Sequence, residues 1–168
     1  MNLIVTDPHT ALWGGRKIRC AVGKNGIVVA SAKREGDGKT PAGIWPMRQV
    51  FYRSDRLPPP KTKLPMRATQ PDDAWCDVDG DPKYNQLVKL PYAILDERLW
   101  RDDHLYDVVT VLGYNDAPIL PGKGSAIFLH LARPDYSPST GCVTLALEDF
   151  LPVLAEADVN TTVEVRRP

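Results

Sequence analysis

Ile127-Phe128-Leu129-His130-Leu131-Ala132-Arg133-Pro134-Asp135-Tyr136-Ser137-Pro138-Ser139-Thr140-Gly141-Cys142-Val143-Thr144-Leu145 is the stretch on which the reading of this chain turns. From Ser125 to Leu131 the residues are continuously apolar until they deliver His130, the pattern of a buried strand. A loop carrying Pro134 and Pro138 follows, and the chain re-enters as Ser139-Thr140-Gly141-Cys142-Val143. His130 and Cys142 are twelve positions apart (142 − 130), across a strand-loop-strand connection that can fold back on itself. That is a way to bring an imidazole to a thiol, as a cysteine nucleophile requires. Gly141 leaves the backbone beside the sulfur open to a substrate carbonyl. The competing reading is structural: a Cys beside Val is often a small buried hydrophobe. Cys/His spacing alone does not decide between the two.

The whole string resembles the motif of L,D-transpeptidase (YkuD-type) catalytic domains, in which a strand-end His precedes Ser/Thr-His-Gly-Cys-hydrophobic. His130, Ser139, Gly141, Cys142 and Val143 match it. Thr140 stands where the family usually has His, and the His-to-Cys loop is shorter than in most members. A sub-branch with Ser/Thr-x-Gly-Cys-Val and an Arg three residues after the His, here Arg133, is closer. The resemblance extends to Gly36-Asp37-Gly38-Lys39-Thr40-Pro41-Ala42-Gly43, Tyr84-Asn85 and Leu112-Gly113-Tyr114-Asn115, and so runs from about Cys20 to Leu154.

That likeness implies a mostly β, sandwich- or barrel-like catalytic domain with one or two short helices and a long Pro-rich loop. It also implies a substrate, the peptidoglycan stem peptide, cleaved between meso-diaminopimelate and a terminal D-amino acid. Cys142 is the expected nucleophile and His130 its proton acceptor, with Gly141 completing the catalytic set. Oxyanion donors are expected among the backbone N–H groups of Thr140 to Cys142. No acid is placed to orient His130, so a backbone carbonyl or Ser139 is expected to do so. Arg133 is a candidate clamp for a substrate carboxylate, with pairing to Asp135 the alternative. Ser139, Thr140, Tyr114 and Trp75 complete the candidate substrate contacts, although Tyr114 reads equally well as a core residue. Water as acceptor gives L,D-carboxypeptidase hydrolysis; an amine from a second stem gives a 3–3 cross-link. A non-catalytic module that binds cell-wall peptide is the alternative of a different class.

Composition bounds these readings. At 168 residues the chain suits one domain spanning its whole length, burying roughly 70% of its unfolded surface. Twenty-one basic and twenty-one acidic residues cancel, so no net field draws it to nucleic acid. No apolar run reaches the length that inserts into a membrane, and a monomer is expected. Cys20, Cys76 and Cys142 are odd in number and widely spaced, which argues against a disulfide framework. No cofactor or metal is expected; zinc on Cys142, His130 and Cys76 is a weak option. Met1 to Pro8 lacks a basic n-region and an apolar core. The expected compartment is therefore the cytoplasm, where recycled tetrapeptides favour hydrolysis, or the periplasm if the natural start lies upstream.

In chain order, Lys17–Val22 and Ile27–Ser31 flank Asn25-Gly26, which predicts a hairpin that starts the sheet. Gly38-Lys39-Thr40 invites a phosphate loop, but the full GxxxxGK[ST] pattern needs Gly where Lys33 stands. The loop is expected to lead into a strand from Gly43 to Tyr52. Residues 53–83 are Pro-rich and irregular, and are expected to form a lid or wall of the cleft with Trp75 against the ligand. Asp72, Asp73, Asp77, Asp79 and Asp81 lack the calcium-loop pattern and read as turn chemistry. Strands are expected at Gln86–Leu90, Asp107–Leu112 and Thr161–Arg166, with a short helix at Leu95–Arg101. Leu147, Phe150, Leu151 and Leu154 fall at i, i+3, i+4 and i+7, an amphipathic helix that Pro152 starts late or kinks. His9 and His104 sit in polar turns and are expected at the surface.

Overall fold

Strands dominate because β-branched and apolar residues recur in short runs punctuated by Gly and Pro, and the computed structural model, which describes residues 1–92 and 97–167, forms twelve of them with one α-helix packed against them. β1 (Asn2–Asp7), β2 (Thr10–Trp13) and β3 (Arg16–Ala21) form an antiparallel meander. β3 continues onto β11 (Val143–Leu145), β11 onto β10 (Phe128–Leu131), and β10 onto β9 (Val108–Leu112). β5 (Thr40–Tyr52) is long enough to serve two neighbours: its second half pairs with β9, and Gly43–Pro46 pair with β12 (Thr162–Val165). β12 lies parallel to β1, so the sheet closes on itself as a barrel. β4 (Ile27–Val29) and β6 (Met66–Ala68) add to opposite ends of β5, while β7 (Asp73–Trp75) and β8 (Leu87–Lys89) form a separate ribbon.

The barrel interior takes Leu3, Val5, Leu129, Leu131, Val143, Leu145 and Val163, all within one buried cluster. The helix α1 (Leu147–Glu156) adds Phe150, Val153 and Leu154 to it. Leu147 stays 39% exposed, so the buried stripe lies one residue round from the periodicity's prediction. Pro152 sits inside α1 rather than delaying it; its ring faces solvent, where the Glu148 carbonyl it leaves without an N–H can meet water. Phe150→Ala is expected to cost about 3–5 kcal/mol. Urea unfolding should show it as a lower midpoint at unchanged slope.

The structure departs from the sequence reading in four places. The Asn25-Gly26 turn forms, with Gly26 at φ 81° and its N–H on the Gly23 carbonyl at 2.8 Å, but it closes no hairpin. Both edges of β3 are taken by β2 and β11, and Asn25 bonds the Asp37 and Gly38 carbonyls instead. The sheet therefore begins earlier, at β1, which finds its partner β12 at the far end of the chain. Within 53–83 the chain gains β6 and β7. The expected helix at Leu95–Arg101 is absent from Glu97 onward, where Arg98 bridges Ala74; Leu95 and Asp96 lie outside the described residues. Among the described residues, no helix is long and apolar enough to cross a membrane.

Candidate active site

β10 is buried on both faces, which explains its unbroken apolar run. Leu129 and Leu131 point into the barrel, whereas Phe128 joins Phe51, Leu105, Tyr106 and Val109 in a second cluster outside it. The parallel register sets Leu129 beside Val143 and His130 beside Thr144. Cys142, one residue before β11, therefore comes level with Phe128 on the outer face that His130 shares, and it belongs to the same outer cluster. Alternation along two adjacent strands thus gathers the thiol and the imidazole.

The sulfur is held by backbone on two sides. Sγ–H donates to the Ala126 carbonyl at 3.2 Å, and the Phe128 N–H donates to Sγ at 3.3 Å. His130 Nδ1 lies 3.0 Å from the Leu131 carbonyl. A carbonyl only accepts, so Nδ1 carries the proton and Nε2 presents its lone pair. The Tyr106 ring packs edge-on against the imidazole at 5.0 Å. His130 is thus oriented by a carbonyl, one of the two expected means, and Sγ–H is committed to Ala126 rather than to the imidazole.

Burial sets the charge state of both groups. Desolvation, reinforced by the positive charges of Arg101 and Arg133, pulls His130 down to about 4 against the opposing Leu131 bond. Desolvation, with Glu97 nearby, pushes Cys142 up to about 12. At neutral pH the resting pair is a thiol and a neutral imidazole, not an ion pair.

Ser139 has another task. Its Oγ donates to the Cys142 carbonyl at 2.6 Å and accepts the Gly141 N–H at 3.1 Å, while its backbone is tied to Val22 and Lys24. It therefore shapes the loop that carries the cysteine and does not touch His130. Gly141, at φ 147°, gives its carbonyl to Thr40 Oγ1 at 2.8 Å, and a Cβ there would meet the Lys39 carbonyl at 3.1 Å. Its N–H, spent on Ser139, is not an open oxyanion donor. The Gly36–Lys39 loop folds around its own anion: Asp37 accepts from the Arg34 and Lys39 N–H groups and from the buried Lys33 ammonium at 2.7 Å. A loop whose donors are so consumed cradles no phosphate.

Two hollows open onto this face and share Lys24, Glu97 and Thr140 as a common wall. The first, about 190 Å³, is lined by Cys142, Gly141, Lys33, Glu35 and Asp77. The second, about 210 Å³, is lined by His130, Arg101, Tyr106, Arg133 and Pro138. Arg133 is exposed and makes no ion pair with Asp135, whose Oδ1 accepts the Ser137 N–H instead. Thr140 is exposed between the two hollows.

Two candidate contacts lie elsewhere. Tyr114 is 5% exposed and edge-on to Trp45, with its OH on the Lys123 carbonyl, so it belongs to the interior and does not meet His130. Trp75 packs edge-on to Phe128 at 5.3 Å and donates from Nε1 to Asn85 Oδ1; it braces Phe128 and lines neither of these two hollows. Of the 53–83 segment, Asp77 reaches the groove. Within the acidic run, Asp73 is satisfied by Arg67 and Lys89, and Asp81 by Tyr92. Cys76 lies in a third cluster, away from Cys142, and among the described residues no group of His, Cys, Asp or Glu is arranged to hold a metal. His9 and His104 are exposed. Asn85, Glu97 and Ala126 are at the site without having been singled out by spacing; only Asn85 carried a signal, through the Tyr84-Asn85 pair.

Set beside known proteins, residues 3–165 match the family model described as the L,D-transpeptidase catalytic domain (YkuD). No curated protein and no solved structure matches the chain.

Proposed function

Because the chain belongs to the L,D-transpeptidase catalytic-domain family, which acts on peptidoglycan peptides, we propose that Cys142 is its acylated nucleophile and His130 its proton carrier. The observation that carries this reading is the β10–β11 register, which puts both side chains on one face, at the two hollows of one groove. Sγ leaves the Ala126 carbonyl, gives its proton to His130 Nε2, and attacks the carbonyl carbon on the L-centre of meso-diaminopimelate. Collapse of the oxyanion breaks the amide bond, and His130 returns the proton to the departing amine. A thioester remains on Cys142. Water then attacks it with His130 again taking a proton, the C–S bond breaks, and the tripeptide carboxylate and the thiol are regenerated.

His130 protonates the leaving amine, so the departing D-amino acid belongs in its hollow. There Arg133 and Lys24 supply positive charge for the α-carboxylate. The hollow's volume, about 210 Å³, is below the roughly 300–1,000 Å³ of sites that engulf a drug-sized ligand. It has room for one amino acid and, once that has left, for water, which is the sequence L,D-carboxypeptidase hydrolysis needs. Free tetrapeptides of the kind met in cytoplasmic murein recycling are the substrate this reading favours.

Incubation with a tetrapeptide stem should give an acyl adduct on Cys142 by intact mass, with release of the D-amino acid. An added stem amine reports any cross-linked product, and absence of both adduct and release would refute the reading. Arg133→Ala should raise KM about 10- to 100-fold with kcat within about threefold. Arg133→Lys should restore only part of that, because a lysine cannot form the two-pronged contact. An unchanged KM in Arg133→Ala would remove the clamp.

A further inference from the structure

We infer that Asn85 is a positioning residue for Cys142, acting through the backbone of Ala126; this rests on the cysteine reading above. Asn85 is 7% exposed and spends its whole hydrogen-bonding capacity. Its Oδ1 accepts from Trp75 Nε1 at 2.9 Å and from the Ala126 N–H at 3.0 Å. Its Nδ2 donates to the Tyr114 and Asn115 carbonyls at 3.1 and 2.8 Å. Two donors face the oxygen and two carbonyls face the nitrogen, so the amide admits one orientation.

The N–H it captures belongs to an unusual residue. Ala126 sits at φ 51°, a left-handed conformation that a residue with a Cβ adopts only when its surroundings impose it. In that conformation its carbonyl accepts the Cys142 thiol at 3.2 Å, while the Phe128 N–H, two residues on, reaches the same sulfur from another side. The Asn85 bond is thus a restraint on the backbone that seats the sulfur, and Asn85 does not touch the sulfur itself. Trp75, which would otherwise have an indole N–H to satisfy, ties the β7–β8 ribbon to the same amide.

Asn85→Ala should lower kcat about 30-fold or more while KM moves less than about threefold. The discriminating variant is Asn85→Ala combined with Ala126→Gly. Glycine enters the left-handed region without the Asn85 bond, so the double variant should recover kcat at least about tenfold over Asn85→Ala alone. If Asn85 were merely a scaffold, the added glycine would loosen the chain further and kcat would stay down or fall; that result overturns the inference. Asn85→Asp keeps the acceptor for Ala126 and loses both donors, and it serves should the alanine variant fail to fold. It should lower the melting temperature and cost less than about tenfold in kcat. An Asp variant that folds and loses as much as 30-fold in kcat sinks the idea. A wild-type protein giving neither acyl adduct nor release refutes the cysteine reading, whereas wild-type turnover with undiminished Asn85→Ala refutes this one alone.

Discussion

Cys142→Ala should abolish release of the D-amino acid and the acyl adduct together, while the tetrapeptide still binds with a Kd close to that of the wild type. The expected loss is at least about 10³-fold, because no second nucleophile lines the Cys142 hollow within the same backbone seat. Binding should survive because Lys24 and Arg133, the proposed partners of the substrate carboxylate, are untouched. Cys142→Ser is a sharper form of the test. A hydroxyl can take both sulfur contacts, donating to Ala126 and accepting from Phe128, so the seat is preserved and only the nucleophile changes. If the serine variant binds the stem and the wild type never turns it over, the domain is a peptide-binding module. The wild-type thiol itself should alkylate slowly near neutral pH, since burial pushes it up to about 12 and leaves little thiolate. Catalysis at neutral pH therefore depends on proton transfer during attack, which places the burden on the imidazole.

Much of this site was legible in the residues because it is local. A continuous apolar run announced β10, and a strand-loop-strand return of fixed length put Cys142 beside it. The rest required partners that spacing does not reveal. β1 looks unremarkable alone and becomes a strand by pairing in parallel with β12, about 160 positions away, since Asn2 lies beside Thr162. Tyr114 follows a strand in the same way whether it faces a cleft or the core; the Trp45 ring decides that it faces the core. Asn85 acquires its role from positions 75, 114, 115 and 126 at once. Ser139 matched the motif, but its hydroxyl closes a loop rather than orienting the histidine. Local pattern thus brought the thiol and the imidazole to one face, and long-range contact decided what holds them.

The pH dependence of both activity and stability should follow His130. Its neutral form is the proposed proton acceptor, and desolvation keeps that form down to about 4. The acid limb of kcat/KM should therefore fall near pH 4 rather than near 6.5, the ordinary histidine value. His130→Gln should lower kcat by about 10²- to 10⁴-fold and erase that limb. Stability carries the same signature with a definite sign. Between pH 6.5 and about 4 the unfolded chain binds a proton at this histidine and the folded chain does not. Stability from this group is thus complete above about 6.5 and is lost progressively as pH falls through that window. A displacement from 6.5 to about 4 corresponds to about 3 kcal/mol in total. The lowered carboxyls Asp37, Asp73 and Asp103 lose their contributions as pH falls below their ordinary 3.8, outside this window. Urea midpoints measured from pH 7 to pH 4.5 should therefore fall in the wild type and stay flat in His130→Gln. An acid limb that remains near pH 6.5, with equal midpoints across the range, would mean that water reaches the imidazole and that the groove is wetter than its burial implies.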